Sequence, residues 1–378
     1  MGEPFKNLIG RALVADAAEH LRRAWRRFPA ADFVAEAGAG LDALEMKARV
    51  LHIATALERA LPDDFDRAAG IVERALAPPH VDEDLGAMRT GPQGLAGWIV
   101  WPLGEWVVRR GMSTPERGLQ ALRELTQRFS AEFAVRPFIV VHPSIVFDHF
   151  GRWAADPNLH VRRWVSEGSR PRLPWGLRLH ALVADPSPTL PLLRSLQDDA
   201  SGYVRRSVAN HLNDIAKDHP ALVADWLAEH LPGATAERRQ LLAHASRTLV
   251  KQGDAAVLKA WGYARGFRGD ATLALKPARL RIGQSVTLRA TLRSASRRSQ
   301  RLVVDYAVHH VKAAGHATAK VFKGWTLDLA AGASVQLDRS HSMREVTTRR
   351  YHPGLHRVEL LVNGETAAAA SFELRPAA

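Results

Sequence analysis

The chain has 378 residues, 46% hydrophobic and 24% charged, with a formal net charge of +13 and no cysteine. This length and balance fit a folded protein of two or three domains and exclude a disordered chain. The missing cysteines exclude a disulfide framework and any thiolate nucleophile or metal site.

The opening, MGEPFKNLIGRALVADAAEHL, has no basic leader ahead of a long apolar run, and no later segment reaches the uncharged length of a membrane span. A cytoplasmic protein without membrane attachment is expected, with a monomer as the simplest state. Helical patterning then runs to about residue 270. LDALEMKARVLHIATALERAL (41–61) repeats its apolar residues at three- and four-residue spacing, and DFDRAAGIVERALAPP (64–79) opens on acids and closes on prolines. TPERGLQALRELTQRFSAEFAVRP (114–137) begins with a threonine cap and a proline suited to a first helical turn, which predicts one helix across that span.

A repeat follows. DPNLHVRRWVSEG (156–168) and DASGYVRRSVANH (199–211) match at Asp156/Asp199 and at Val-Arg-Arg, 43 residues apart, and ATAERRQLLAHASRTL (234–249) is a weaker third copy. This period predicts an α-solenoid of HEAT-like helix pairs, with the aspartates as helix N-caps. Beyond it the period changes to two. SVTLRATLR (285–293), RLVVDYAVHHV (301–311) and LHRVELLV (355–362) alternate, and the last meets Asn363-Gly364, a hairpin-turn pair. An all-β sandwich of immunoglobulin type is expected over 276–378, after a helical domain over 1–273, with the boundary near Leu275–Pro277.

The charge is uneven. Residues 276–378 hold 17 Lys and Arg against 7 Asp and Glu. The excess gathers in SASRRSQR (294–301), with Arg297 and Arg298, and in MREVTTRRYHPG (343–354), with Arg349 and Arg350. Such clusters suit a polyanion, because each neutralised phosphate releases condensed counterions.

One stretch, VRRWVSEGSRPRLPW (161–175), sets a single acid, Glu167, among four arginines and two tryptophans. Residues i and i+4 share a helix face, which pairs Arg163 with Glu167 and leaves Trp164 beside them. One repeat later Arg206, Asn210 and Asp214 form the matching stripe, and Glu132 is a third carboxylate that a preceding helix would deliver. Each has a plainer explanation: a surface ion pair, a solvated polar position, an exposed helical acid. Trp175, following Pro174, would serve equally as a core anchor, and His211 as a buried, satisfied histidine. Spacing supports a basic groove with acids and aromatics, and reaches no further.

Longer segments carry more. LTQRFSAEFAVRPFI, RWAADPNLHVRRWVSEGSRPRLPW and YVRRSVANHLNDIAKDHP resemble the AlkC family of DNA glycosylases, in the AlkC/AlkD superfamily of HEAT-repeat enzymes that excise alkylated bases. The likeness runs through most of residues 1–265, and 276–378 is similar to the immunoglobulin-like domain that some members carry. It implies Glu132, Glu167 and Asp214 as active-site carboxylates, Trp175 as an aromatic of the pocket and Arg163 as part of the groove. It further implies a monofunctional enzyme with no cofactor or metal, acting at the nucleoid on double-stranded DNA that contains 3-methyladenine or 3-methylcytosine, without base flipping. On this basis Trp164 is expected to add a second aromatic face. Arg162, Arg205, Arg206, Arg297, Arg298, Arg349 and Arg350 are expected to meet the DNA backbone. The competing expectation is a HEAT scaffold that binds DNA or an acidic protein without chemistry.

Overall fold

The computed structural model describes residues 5–264, 266–346 and 350–377. Helices occupy the first two thirds: α1 (Arg11–Ala24), α2 (Ala30–Gly38), α3 (Met46–Ala60), α4 (Phe65–Ala75), α5 (Val100–Gly111) and α6 (Pro115–Thr126). There follow α7 (Val135–Val141), α8 (Pro143–Trp153), α9 (Leu159–Gly168), α10 (His180–Ala184), α11 (Leu190–Leu196) and α12 (Gly202–Ile215). The last are α13 (Pro220–His230), α14 (Ala236–Ala245), α15 (Arg247–Gln252) and α16 (Ala255–Ala260). The expected fold class holds: a helical-repeat solenoid precedes an immunoglobulin-like sandwich. By compactness, residues up to Asp218 with Ala236–Ala245 form one unit, and His219–Thr235 with Ser246 onward form the second.

In the first unit α6, α9, α12 and α14 pack one on the next, the row that a stacked repeat generates. Their inward faces bury Leu119, Leu122, Val161, Val165, Val204 and Val208, each contributing roughly 1.5–3 kcal/mol by leaving water. The repeat aspartates are not the caps. Asn158 and Ser201 cap α9 and α12, while Asp156 and Asp199 each accept the backbone N–H of the cap residue at 2.8 Å.

The helix predicted over 114–137 is broken. Its ladder ends because the carbonyls of Gln127 and Arg128 accept N–H groups from His80 (2.9 Å) and Gly97 (2.8 Å), both on the loop between α4 and α5. These tertiary bonds take acceptors that the next helical turn would need.

In the second unit, β1 (Gly269–Lys276), β2 (Arg279–Arg281), β3 (Ser285–Ser294), β4 (Gln300–Val311), β5 (Ala317–Leu329), β6 (Ser334–Ser342), β7 (Gly354–Val362) and β8 (Glu365–Arg375) form two sheets, ordered β1-β3-β6 and β2-β8-β7-β4-β5. Val286, Leu288, Ala290 and Leu292 of β3 alternate inward and are fully buried. The strands begin at Gly269, ahead of the change read near Leu275–Pro277; β1 is an edge strand, mostly exposed, in which Leu275 alone is buried. The Asn363-Gly364 turn joins β7 to β8 with φ of 49° and 81°. Gly364 lies so close to Gly253 that a Cβ on either would meet the other's backbone within 3 Å, which restricts both positions to glycine.

Candidate active site

The site is assembled from the break after α6, the helix α9 with its following loop, and α12. Glu132 comes from the turn before α7, not from a helix. Its Oε2 accepts from Ser130 Oγ at 2.6 Å and from Arg163 Nη1. Arg163 Nη2 lies 3.5 Å from Glu167 Oε1, the spacing a helical i,i+4 pair gives. Arg170, one turn beyond Glu167, donates from Nη1 to the same Oε1 at 2.6 Å and from Nε to Asp214 Oδ2 at 2.8 Å. Lys217 Nζ donates to Asp214 Oδ1 at 2.9 Å. Three acids and three bases thus alternate in one string: Glu132, Arg163, Glu167, Arg170, Asp214, Lys217. Glu167 and Asp214 do not face each other openly; a guanidinium joins them.

Burial and partners fix the charges. Burial opposes the ionisation of Glu167, but Arg163, Arg170 and a hydrogen bond from Ser207 outweigh it and hold its pKa below the ordinary value. Burial likewise opposes the Arg163 charge, and Glu132 and Glu167 still raise its pKa. Glu132 is the most open of the three acids, with 15% of its side chain exposed against 8% for Glu167 and 3% for Asp214. His211 is fully buried, its Nδ1 donates to the Ser166 carbonyl at 2.9 Å, and burial pulls its pKa down to about 4, so it is neutral.

Trp175 stands 80% exposed at φ 64°, a left-handed conformation that costs a bulky residue roughly 1–2 kcal/mol. It is not a core anchor. The segment carrying it is tied by Arg136, which is fully buried and donates to the carbonyls of Gly168 (2.8 Å) and Leu177 (2.5 Å). Burial and the neighbouring Arg170 charge lower the Arg136 pKa to about 10, leaving it charged.

Other expectations need correction. Trp164 is fully buried, stacked on Trp153 with centroids 5.5 Å apart and set edge-on to Phe150, so it packs the core and presents no face to a ligand. Arg162 is bound up in the repeat, with bonds to Asp199 at 2.6 and 3.0 Å and to the carbonyls of Asp156 and Pro157. Arg205 makes the equivalent bonds to the carbonyls of Asp199 and Ala200. Arg206 is exposed and lines a small cavity of about 120 Å³ between α12 and α14. Arg297, Arg298 and Arg350 are exposed, and Arg349 lies outside the described residues. Sequence reasoning passed over Arg136, Arg170 and Ser207. Only Arg170 left a local trace, three residues after Glu167; the other two act from separate elements. Among the described residues no cluster of His, Asp and Glu is placed to hold a metal ion, and no helix is long and apolar enough to cross a membrane.

Comparison with known proteins adds to this geometry. The chain superposes on the Pseudomonas fluorescens alkylpurine DNA glycosylase AlkC, solved bound to DNA containing an abasic-site analogue, with a TM-score of 0.88, 34% identity and coverage of 99% of this chain and 100% of that one. The chain belongs to the AlkC family. The uncharacterised protein YhaZ of Bacillus subtilis (strain 168) is 35% identical over 332 residues, 88% of either chain. Residues 270–376 match the family described as the C-terminal Ig-like domain of the uncharacterised protein YhaZ. The AlkC likeness therefore extends through both the helical repeats and the sandwich.

Proposed function

We propose that this protein is a monofunctional DNA glycosylase that hydrolyses the N-glycosidic bond of cationic alkylated bases, 3-methyladenine and 3-methylcytosine, in duplex DNA. The observation that carries this reading is the convergence of Glu132, Glu167 and Asp214, from three separate segments, on one network of guanidinium groups. A base that already bears a positive charge leaves without protonation. What needs stabilising is the sugar, which becomes oxocarbenium-like as the bond breaks. Fixed carboxylates favour that cation electrostatically, and one of them orients or deprotonates the attacking water. Glu132, the most open acid, has the easiest access to that water. Exposed Trp175 offers its face to the cationic base, an attraction of about 0.5–2 kcal/mol. A base met from the duplex surface needs no deep pocket, consistent with excision without flipping.

Acids near DNA weaken binding, and basic groups must offset them. Arg206, and Arg297, Arg298, Arg349 and Arg350 of the sandwich, are proposed to supply that offset. Loss of duplex affinity on deleting 276–378 would support the role, and unchanged affinity would remove it. The deciding experiment is base release from methylated duplex DNA, with products identified by chromatography. The wild-type chain is expected to release 3-methyladenine, and Glu167→Gln and Asp214→Asn to lose about 10²–10³-fold in rate. Normal release by both variants would refute the assignment. Tight duplex binding by the wild type with no base released would point to a non-catalytic DNA-binding scaffold, in which the buried ion pairs serve only the fold.

A further inference from the structure

Resting on the reading of Glu167 as a catalytic carboxylate, we infer that Ser207 is a positioning residue, a hydroxyl clamp that locks the second oxygen of Glu167 in register with Asp214. Arg170 and Arg163 both bind Oε1. The last torsion of a glutamate is broad, and donors on one oxygen alone leave the other with its lone pairs unmet in a buried site. Ser207 Oγ donates to the other oxygen, Oε2, at 2.6 Å. Ser166 Oγ is also near, at 3.0 Å, but a hydroxyl has one hydrogen, and the closer, charged acceptor takes it. Ser166 can then donate to Ser207, completing a short relay of two hydroxyls that ends on the acid.

The placement of the clamp matters as much as its bond. Ser207 and Asp214 lie seven residues apart on α12, two turns along the same helix face. Glu167, on α9, is therefore tied to the helix of Asp214 twice, once through Arg170 and once through Ser207. Ser166 and Ser207 are 0% and 3% exposed, so solvent does not stand in for a lost hydroxyl. The charged groups facing Glu167 are Arg163 and Arg170 on its own segment, Asp214 on α12, Arg136 on α7 and Glu132 on the preceding turn; the neutral His211 holds the Ser166 backbone. Ser207 is the neutral donor among them, and its hydrogen bond lowers the Glu167 pKa alongside the two arginines.

The test uses the full chain with carboxyl-13C glutamate, the Glu167 resonance being assigned by its absence in Glu167→Gln. In Ser207→Ala the Glu167 titration midpoint is expected to rise by about one pH unit, and in Ser207→Thr, which keeps the hydroxyl, to return to the wild-type position. In the base-release assay kcat of Ser207→Ala should fall about ten-fold with KM unchanged, and Ser207→Thr should restore it. A folded Ser207→Ala whose Glu167 titrates like wild type would overturn the inference, as would a shifted midpoint with undiminished kcat. If Ser207→Ala does not fold, Ser207→Cys keeps the volume with a weak donor, and the same midpoint decides. A wild type that releases no base would defeat the glycosylase reading alone, and the titration would still decide whether the clamp exists.

Discussion

The two matching repeats use the same Val-Arg-Arg in different ways. Arg162 and Arg205 are near equivalents, each donating to the carbonyl of the repeat aspartate and to the carbonyl that follows it. Arg163 and Arg206 diverge. Arg163 turns into the acid cluster, whereas Arg206 stays exposed beside Gly202, Glu237 and His244. The residue four positions on explains the split: Glu167 in one repeat, Asn210 in the other. The first arginine of each pair braces the turn ahead of its own helix, and Arg162 also bridges to Asp199 of the next repeat; the second arginine is the one whose surroundings differ. The acid cluster lies where one repeat departs from the next.

The largest stability effect should come from the first arginine. Arg162→Ala leaves Asp199 buried without its ion pair and should cost about 3–5 kcal/mol. Arg205→Ala removes bonds to carbonyls alone and should cost about 1 kcal/mol. Urea unfolding of both variants measures the gap, and equal losses would break the distinction.

A smaller effect is set by pH. His160 and His211 are buried with pKa values lowered from 6.5 to about 4. The unfolded chain binds protons that the folded one refuses, so stability falls as pH drops below 6.5 and continues falling to about 4. At pH 5 each should cost about 2 kcal/mol, read as a lower urea midpoint than at neutral pH; His211→Gln should flatten the dependence. Glu167 acts lower down. Its depressed pKa gives stabilisation that is complete above the ordinary carboxylate value and lost as pH falls through the folded one.

The smallest change in stability belongs to Arg206→Ala, within about 0.5 kcal/mol because the side chain is exposed. Its signature is expected in DNA binding instead, where the slope of log affinity against log salt should shrink by about one. An unchanged slope would remove Arg206 from the phosphate contacts.

Locally encoded features were legible in the sequence. Asp64 caps α4 as its acidic start suggests, Arg163 reaches Glu167 at helical spacing, and Asn363-Gly364 makes its hairpin. What stayed hidden depends on distant partners. The break that frees Glu132 is imposed by His80 and Gly97, and nothing within 114–137 announces it. Trp164 looked available because it neighbours Arg163 in sequence, but consecutive residues point to different helix faces, and Trp153 and Phe150 claim its own. The edge strands β1 and β5 are mostly exposed and bury one residue each, Leu275 and Leu329, against five in β3, so their inward side left a fainter mark.

Arg136 grips the chain at Gly168 and at Leu177, so the stretch between them is held like a handle at both ends by one side chain. Arg170 and Arg172, on the same stretch, add ties to Asp214 and Asp218, so the outward-facing Trp175 rides on a span fastened to the helices beneath it. One buried guanidinium therefore sets the path of the whole span, and its loss would free both ends together.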